Sequence, residues 1–135
     1  MELIFKLEQI KALNLEGIVP EDAWFFLSRE VHRRPNVLEL HVGRIRAAAA
    51  LDPEATYAAL LDLMTVLQER GSALRWRLFR QVRDRLKEDR AGELYRYLKE
   101  EIPLSRLPFS PRAILHPRIV EESEAGASAS GGEDS

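Results

Sequence analysis

Cysteine is absent from this 135-residue chain, which excludes disulfide staples and thiolate metal sites and fits a reducing compartment, so the cytoplasm is the expected location. Histidine is scarce. His32, His41 and His116 stand neither four residues from one another nor three from an acid, so none forms the helix-face pair that ligates a metal, and no metal or other cofactor is expected. Glycine is sparse too: Gly17, Gly43, Gly71 and Gly92 stand alone and the other three lie beyond residue 120, so no phosphate-cradling loop and no Gly-x-Ser-x-Gly elbow is present. Long apolar runs are missing; no stretch approaches the roughly 18 residues that would span a bilayer, and no membrane partner is expected. The start of the chain, with Glu2, Lys6, Glu8 and Lys11, is unlike an export signal. Acidic neighbours such as Glu100-Glu101 read as solvated surface, and with no catalytic set in view the expectation is a protein that is not an enzyme.

What is present is a globular composition, 45% hydrophobic and 31% charged, at a length that suits one core. The net charge of −2 is unevenly spread. Residues 1–118 carry all 20 Lys and Arg and come to +3, whereas 119–135 come to −5. Residues 121–135 have no large apolar side chain and read as a disordered acidic tail. Residues 103–120 hold Pro103, Pro108, Pro111 and Pro117, which forbid a regular helix, yet keep Leu104, Leu107, Phe109, Ile114 and Leu115. They read as an extended proline-rich arm. Residues 1–102 form the expected α-helical domain.

Within that domain the apolar period is helical, and the fold class is all-α: a helical bundle or short solenoid of about five to six antiparallel helices. Asp52-Pro53-Glu54 supplies an N-cap, a first-position proline and a first-turn acid for a helix reaching about Arg70, and Gly71 stops it before Ser72 caps the next. That next helix spans about Ala73 to Glu88, burying Leu74, Leu78, Phe79, Val82 and Leu86. A further one runs from about Arg90 to Ile102 with Ala91, Leu94, Tyr95 and Leu98 aligned. Pro20 to about Arg33, with Trp24, Leu27 and Val31 on one side, makes another. Asn36 and Glu39 resemble a capping box opening a helix to Leu51, although Leu38, Leu40 and Val42 also alternate as a strand would. Leu3, Ile4, Leu7 and Ile10 suggest a first helix; Leu3, Phe5 and Leu7 leave a strand open there as well.

Pro20-Glu21-Asp22-Ala23-Trp24-Phe25-Phe26-Leu27 aligns with Pro53-Glu54-Ala55-Thr56-Tyr57-Ala58-Ala59-Leu60 at an offset of 33, and Val31, Ile45 and Ala49 then match Met64, Leu78 and Val82. Over about Pro20 to Lys87 the chain resembles tetratricopeptide-type repeats, a resemblance that implies stacked helix hairpins. It departs from them where Ser28 and Leu61 follow Leu27 and Leu60, and where no small residue sits midway in the second helix at Arg75 to Leu78. A HEAT-like hairpin or a plain bundle gives the same apolar pattern.

Three features suggest a surface that binds. Trp24, Phe25 and Phe26 are consecutive, and successive helical side chains point about 100° apart, so they cannot all face one core. Trp24 reads as core, and Phe25 and Phe26 as candidates for a partner-binding face. Leu107 and Phe109 in the arm are further candidates, since prolines lower the entropy cost of docking, or the arm packs on its own domain. The stretch from Arg70 to Arg90 is +5; on one helix Arg77, Arg80, Arg83 and Lys87 would line a stripe, with Arg75 and Trp76 beside it. Such a stripe is either solvated surface or a site for an anionic partner, nucleic acid included. The combined expectation is a non-enzymatic interaction module, an adaptor or small subunit of a larger assembly with a protein partner or a second copy of itself. The alternative is a helical nucleic-acid-binding protein.

Overall fold

The computed structural model describes residues 18–116, and over that span the protein is an all-α helical bundle of five α-helices and two short 3-10 turns, with no strand among the described residues. The helices are α1 (Pro20–Arg33), α2 (Leu38–Ala49), α3 (Pro53–Leu67), α4 (Ser72–Val82) and α5 (Glu88–Glu100). The expected helix through Leu3, Ile4, Leu7 and Ile10, the end of the arm and the acidic tail lie outside the described residues. No helix among those described is long and apolar enough to cross a membrane.

Local chemistry sets the helix ends. Pro20 and Pro53 both stand at the start of their helices, where a missing N–H costs nothing. The Asp52 side chain accepts the Ala55 amide at 2.8 Å, the bond expected of an N-cap. Pro35 disfavours helical backbone at Arg34, and α1 ends at Arg33. The alternation at Leu38, Leu40 and Val42 belongs to a helix, because Leu40, Ile45, Ala47 and Ala48 are all buried at helical spacing. After α3 the chain turns through Gln68 and Gly71, at φ 52° and 62°. Gly71 itself occupies the position before α4, and Ser72 makes no capping bond.

The helix read as Ala73 to Glu88 is shorter than its apolar pattern. It ends at Val82; Arg83–Arg85 form a 3-10 turn, and Leu86 is extended at φ −94°, ψ 155°. Leu86 is still buried, so the chain leaves the helix without releasing its apolar anchor. Glu88 and Asp89 then fall in the first turn of α5, where the helix dipole favours acids.

The bundle is built around α3. Twelve of its fifteen residues are buried, the pattern of a helix enclosed on all sides. Its inner residues Tyr57, Leu60, Leu61 and Met64 pack with Ile45 of α2, Phe79 of α4 and Leu94 of α5, while Leu27 and Val31 of α1 build a second apolar cluster with Leu40, Ala47 and Leu115. Trp24 touches both clusters. The arm, after a 3-10 turn at Leu104–Arg106, lies back on this body and buries Leu107 and Leu115.

Candidate functional site

Among the described residues one ion pair is fully buried. Arg44 of α2 and Asp62 of α3 meet at 2.5 Å with side-chain exposures of 1% and 0%. Arg44 also donates to Ser28 Oγ of α1 at 2.9 Å and to the Arg112 carbonyl of the arm at 3.2 Å, and its guanidinium lies 4.3 Å from the Trp24 ring centroid. Asp62 accepts the backbone amides of Ile114, Leu115 and His116 at 2.7 to 3.1 Å. Burial lowers the Arg44 pKa and the facing Asp62 carboxylate opposes that shift. Every charged atom here has a partner from α1, α2, α3 or the arm, so the node joins four parts of the chain and has no open position for a substrate.

Around it the arm is held mainly by its backbone. The Tyr57 hydroxyl donates to the Pro108 carbonyl at 2.6 Å, Ser110 Oγ donates to Glu54 at 2.7 Å, and Nη1 of Arg112 donates to both carboxylate oxygens of Asp52 at 2.8 and 2.9 Å. Burial raises the Tyr57 pKa, so its proton stays in place to make that bond. For Asp52, burial raises the pKa, but the Ala55 amide and Arg112 outweigh it and hold the carboxyl below its ordinary value. His41 is fully buried; its Nε2 donates to the Pro35 carbonyl at 2.7 Å, and burial lowers its pKa and keeps the ring neutral.

The partner-face candidates separate. Phe25 is 61% exposed and Phe109 58%, whereas Leu107 is 3% exposed and belongs to the core. Phe26 is half-buried against the α1 cluster. Phe25 stands over a shallow groove of about 390 Å³ with Ser28, Arg29, Arg33 and Ile114 along its walls. Phe109 is presented differently, on a loop pinned on both sides by the Pro108 and Ser110 contacts.

The basic stretch is not one straight stripe. Arg77 and Arg80 lie on α4, Arg83 on the 3-10 turn and Lys87 just before α5. All four are exposed, as is Arg85, and no acidic side chain among the described residues pairs with any of them. Arg75, by contrast, turns inward to the carbonyls of Gln68 and Glu69. Trp76 meets Tyr95 of α5 edge-on at 5.6 Å and Phe79 at 6.1 Å. Arg80 lies 5.2 Å from the Trp76 ring centroid and Lys99 5.7 Å from that of Tyr95. Arg80, Trp76, Tyr95 and Lys99 therefore form a continuous ladder across α4 and α5. The sequence pattern placed Tyr95 on the inner face, but it is 39% exposed, and Tyr97 is the buried aromatic of α5.

A cleft of about 750 Å³ lies between the α3–α4 turn and the start of the arm, lined by Gln68, Glu69, Arg75, Tyr97, Glu101 and Leu104. Among the described residues no group of three or more His, Asp and Glu side chains is placed to hold a metal ion. No protein-family model matches the chain, and neither a curated protein nor a solved structure matches it.

Proposed function

We propose that this chain is a non-enzymatic protein–protein interaction module, an adaptor or small subunit of a larger assembly, and that the outer face of α1 is where it docks. The observation that carries this reading is Phe25. A large aromatic 61% exposed on a well-anchored helix, beside a groove with apolar Ile114 and the cations Arg29 and Arg33, has the makeup of an interface hot spot. α1 is fixed from behind by Leu27, Val31 and the Ser28–Arg44 bond. A rigid aromatic loses little entropy on docking.

The test is to recover a stoichiometric partner from the native cells with the tagged full-length chain, then to measure that partner's affinity for wild type and Phe25→Ala. A hot-spot aromatic predicts about 30-fold weaker binding with a melting temperature changed by less than about 2 °C. Equal affinity sinks the reading of α1. A large fall in melting temperature would instead mark Phe25 as a stability residue.

A further inference from the structure

We infer that the α4–α5 face, built on the Arg80–Trp76–Tyr95–Lys99 ladder and flanked by Arg77 and Arg83, is a docking site for an acidic segment of a partner polypeptide. The inference rests on the reading of the chain as an interaction module but places a second contact on a different face from Phe25.

Two observations meet here. Arg77, Arg80, Arg83, Arg85 and Lys87 are exposed and have no acidic partner among the described residues, although the chain has acids enough to pair them. Elsewhere it does so: Arg33 and Arg34 hold Glu30, Arg112 holds Asp52, and Arg96 lies 3.6 Å from Glu100. The second is the aromatic base. Trp76 and Tyr95 lock edge-to-face, and each carries a cation within 6 Å of its ring centroid, a distance at which the ring quadrupole attracts the charge. This holds Arg80 and Lys99 at defined positions, so less side-chain entropy is lost when a carboxylate arrives. Arginine beside Trp and Tyr is also the composition enriched at interface centres.

The same geometry favours carboxylates over a nucleic-acid strand. Base stacking needs an open ring face, but the side chains of Arg80 and Lys99 already lie against the two rings. Exposed Asp84, Glu88 and Asp89 interrupt the run of cations, and the turn after Val82 breaks the straight track that a phosphate backbone would follow. A short peptide needs only a few of these cations at once, and apolar side chains between its acids can rest on the exposed flank of Tyr95.

The experiment uses the full chain and fluorescence anisotropy with three labelled probes: a peptide of about 15 residues alternating Glu pairs with Leu and Phe, its Gln-for-Glu counterpart, and a single-stranded oligonucleotide of similar length. The acidic peptide should bind, weaken as salt rises from about 50 to about 200 mM, and exceed its Gln counterpart by at least about tenfold. Arg77→Ala/Arg80→Ala/Arg83→Ala should weaken it by at least about tenfold with an unchanged melting temperature, and Tyr95→Ala should weaken it by a smaller factor. Phe25→Ala should leave it unaltered, so this inference and the α1 reading fail separately. Tighter binding of the oligonucleotide, binding indifferent to the triple substitution, or no peptide binding would each overturn the inference. So would an increase in peptide affinity of about tenfold or more when Glu121, Glu122, Glu124, Glu133 and Asp134 are neutralised together, because the chain's own acidic segment would then be the occupant.

Discussion

Asp62 pairs with Nη1 of Arg44 and accepts three successive amides with one carboxylate, and both charged side chains are buried. Replacing such a pair with apolar groups can be neutral, but removing one partner leaves the other charge buried and uncompensated. Asp62→Ala should therefore lower the unfolding free energy by about 3–5 kcal/mol, read as a fall in the urea midpoint at pH 7. A loss below about 1 kcal/mol would mean that water reaches Arg44. Neither residue stands out when the sequence is read for motifs, because 18 positions separate them and each alone looks like an ordinary charge. A signal was nonetheless present: Asp62 is the lone acid in Leu60-Leu61-Asp62-Leu63-Met64, and Arg44 shares a helical face with Leu40 and Ala47.

Among the elements, α5 carries an avoidable weakness. Gly92 is exposed inside the helix, and a Cβ placed there meets nothing within 4 Å. Gly92→Ala should stabilise the protein by about 0.5–1 kcal/mol, since glycine gives up the most backbone freedom in a helix. A rise of several degrees in melting temperature would show it, and a fall would place an unseen neighbour against that face. The helices themselves were legible wherever backbone chemistry punctuates them. Pro20 and Asp52-Pro53 mark the starts of α1 and α3 and Gly71 that of α4, whereas α3 itself ends at Leu67, short of the Arg70 that the glycine suggested. The break between α4 and α5 was expected, but at Glu88–Arg90 rather than after Val82, because no proline or glycine lies between Val82 and Glu88 and the apolar spacing runs on to Leu86. Only the acids Glu88 and Asp89 hinted at a new N-terminus. Tyr95 was misplaced for a related reason: Leu94, Tyr95 and Leu98 fit an apolar stripe as well as Leu94, Tyr97 and Leu98 do, and period alone does not choose.

At the scale of the whole molecule, the arm belongs to the fold as much as the helices do. Its apolar residues Leu107 and Leu115 are buried, and its amides at 114–116 end on a fully buried carboxylate. Native-state hydrogen exchange should therefore find the Leu115 and His116 amides protected to the same free energy as the core of α3, opening only with global unfolding. Exchange at a markedly lower free energy would show the arm to be a separate unit that detaches first. The expectation of an arm packing on something was readable from prolines interleaved with Leu and Phe. The choice between its own domain and a partner was not, because main-chain recognition by Tyr57, Arg44 and Asp62 leaves no mark on the sequence and Ser110 and Arg112, which bind Glu54 and Asp52, look like ordinary polar residues.

That clasp also orders events in time. Arg44 and Asp62 lie 18 residues apart and can be brought near each other by the first helix hairpins, but the amides that complete Asp62 come from 52 to 54 residues further along. Until they arrive, the carboxylate is better left in water. The helices can collapse early, while the final drying of the centre waits on closure of a long loop, a slow step that local contacts cannot shorten.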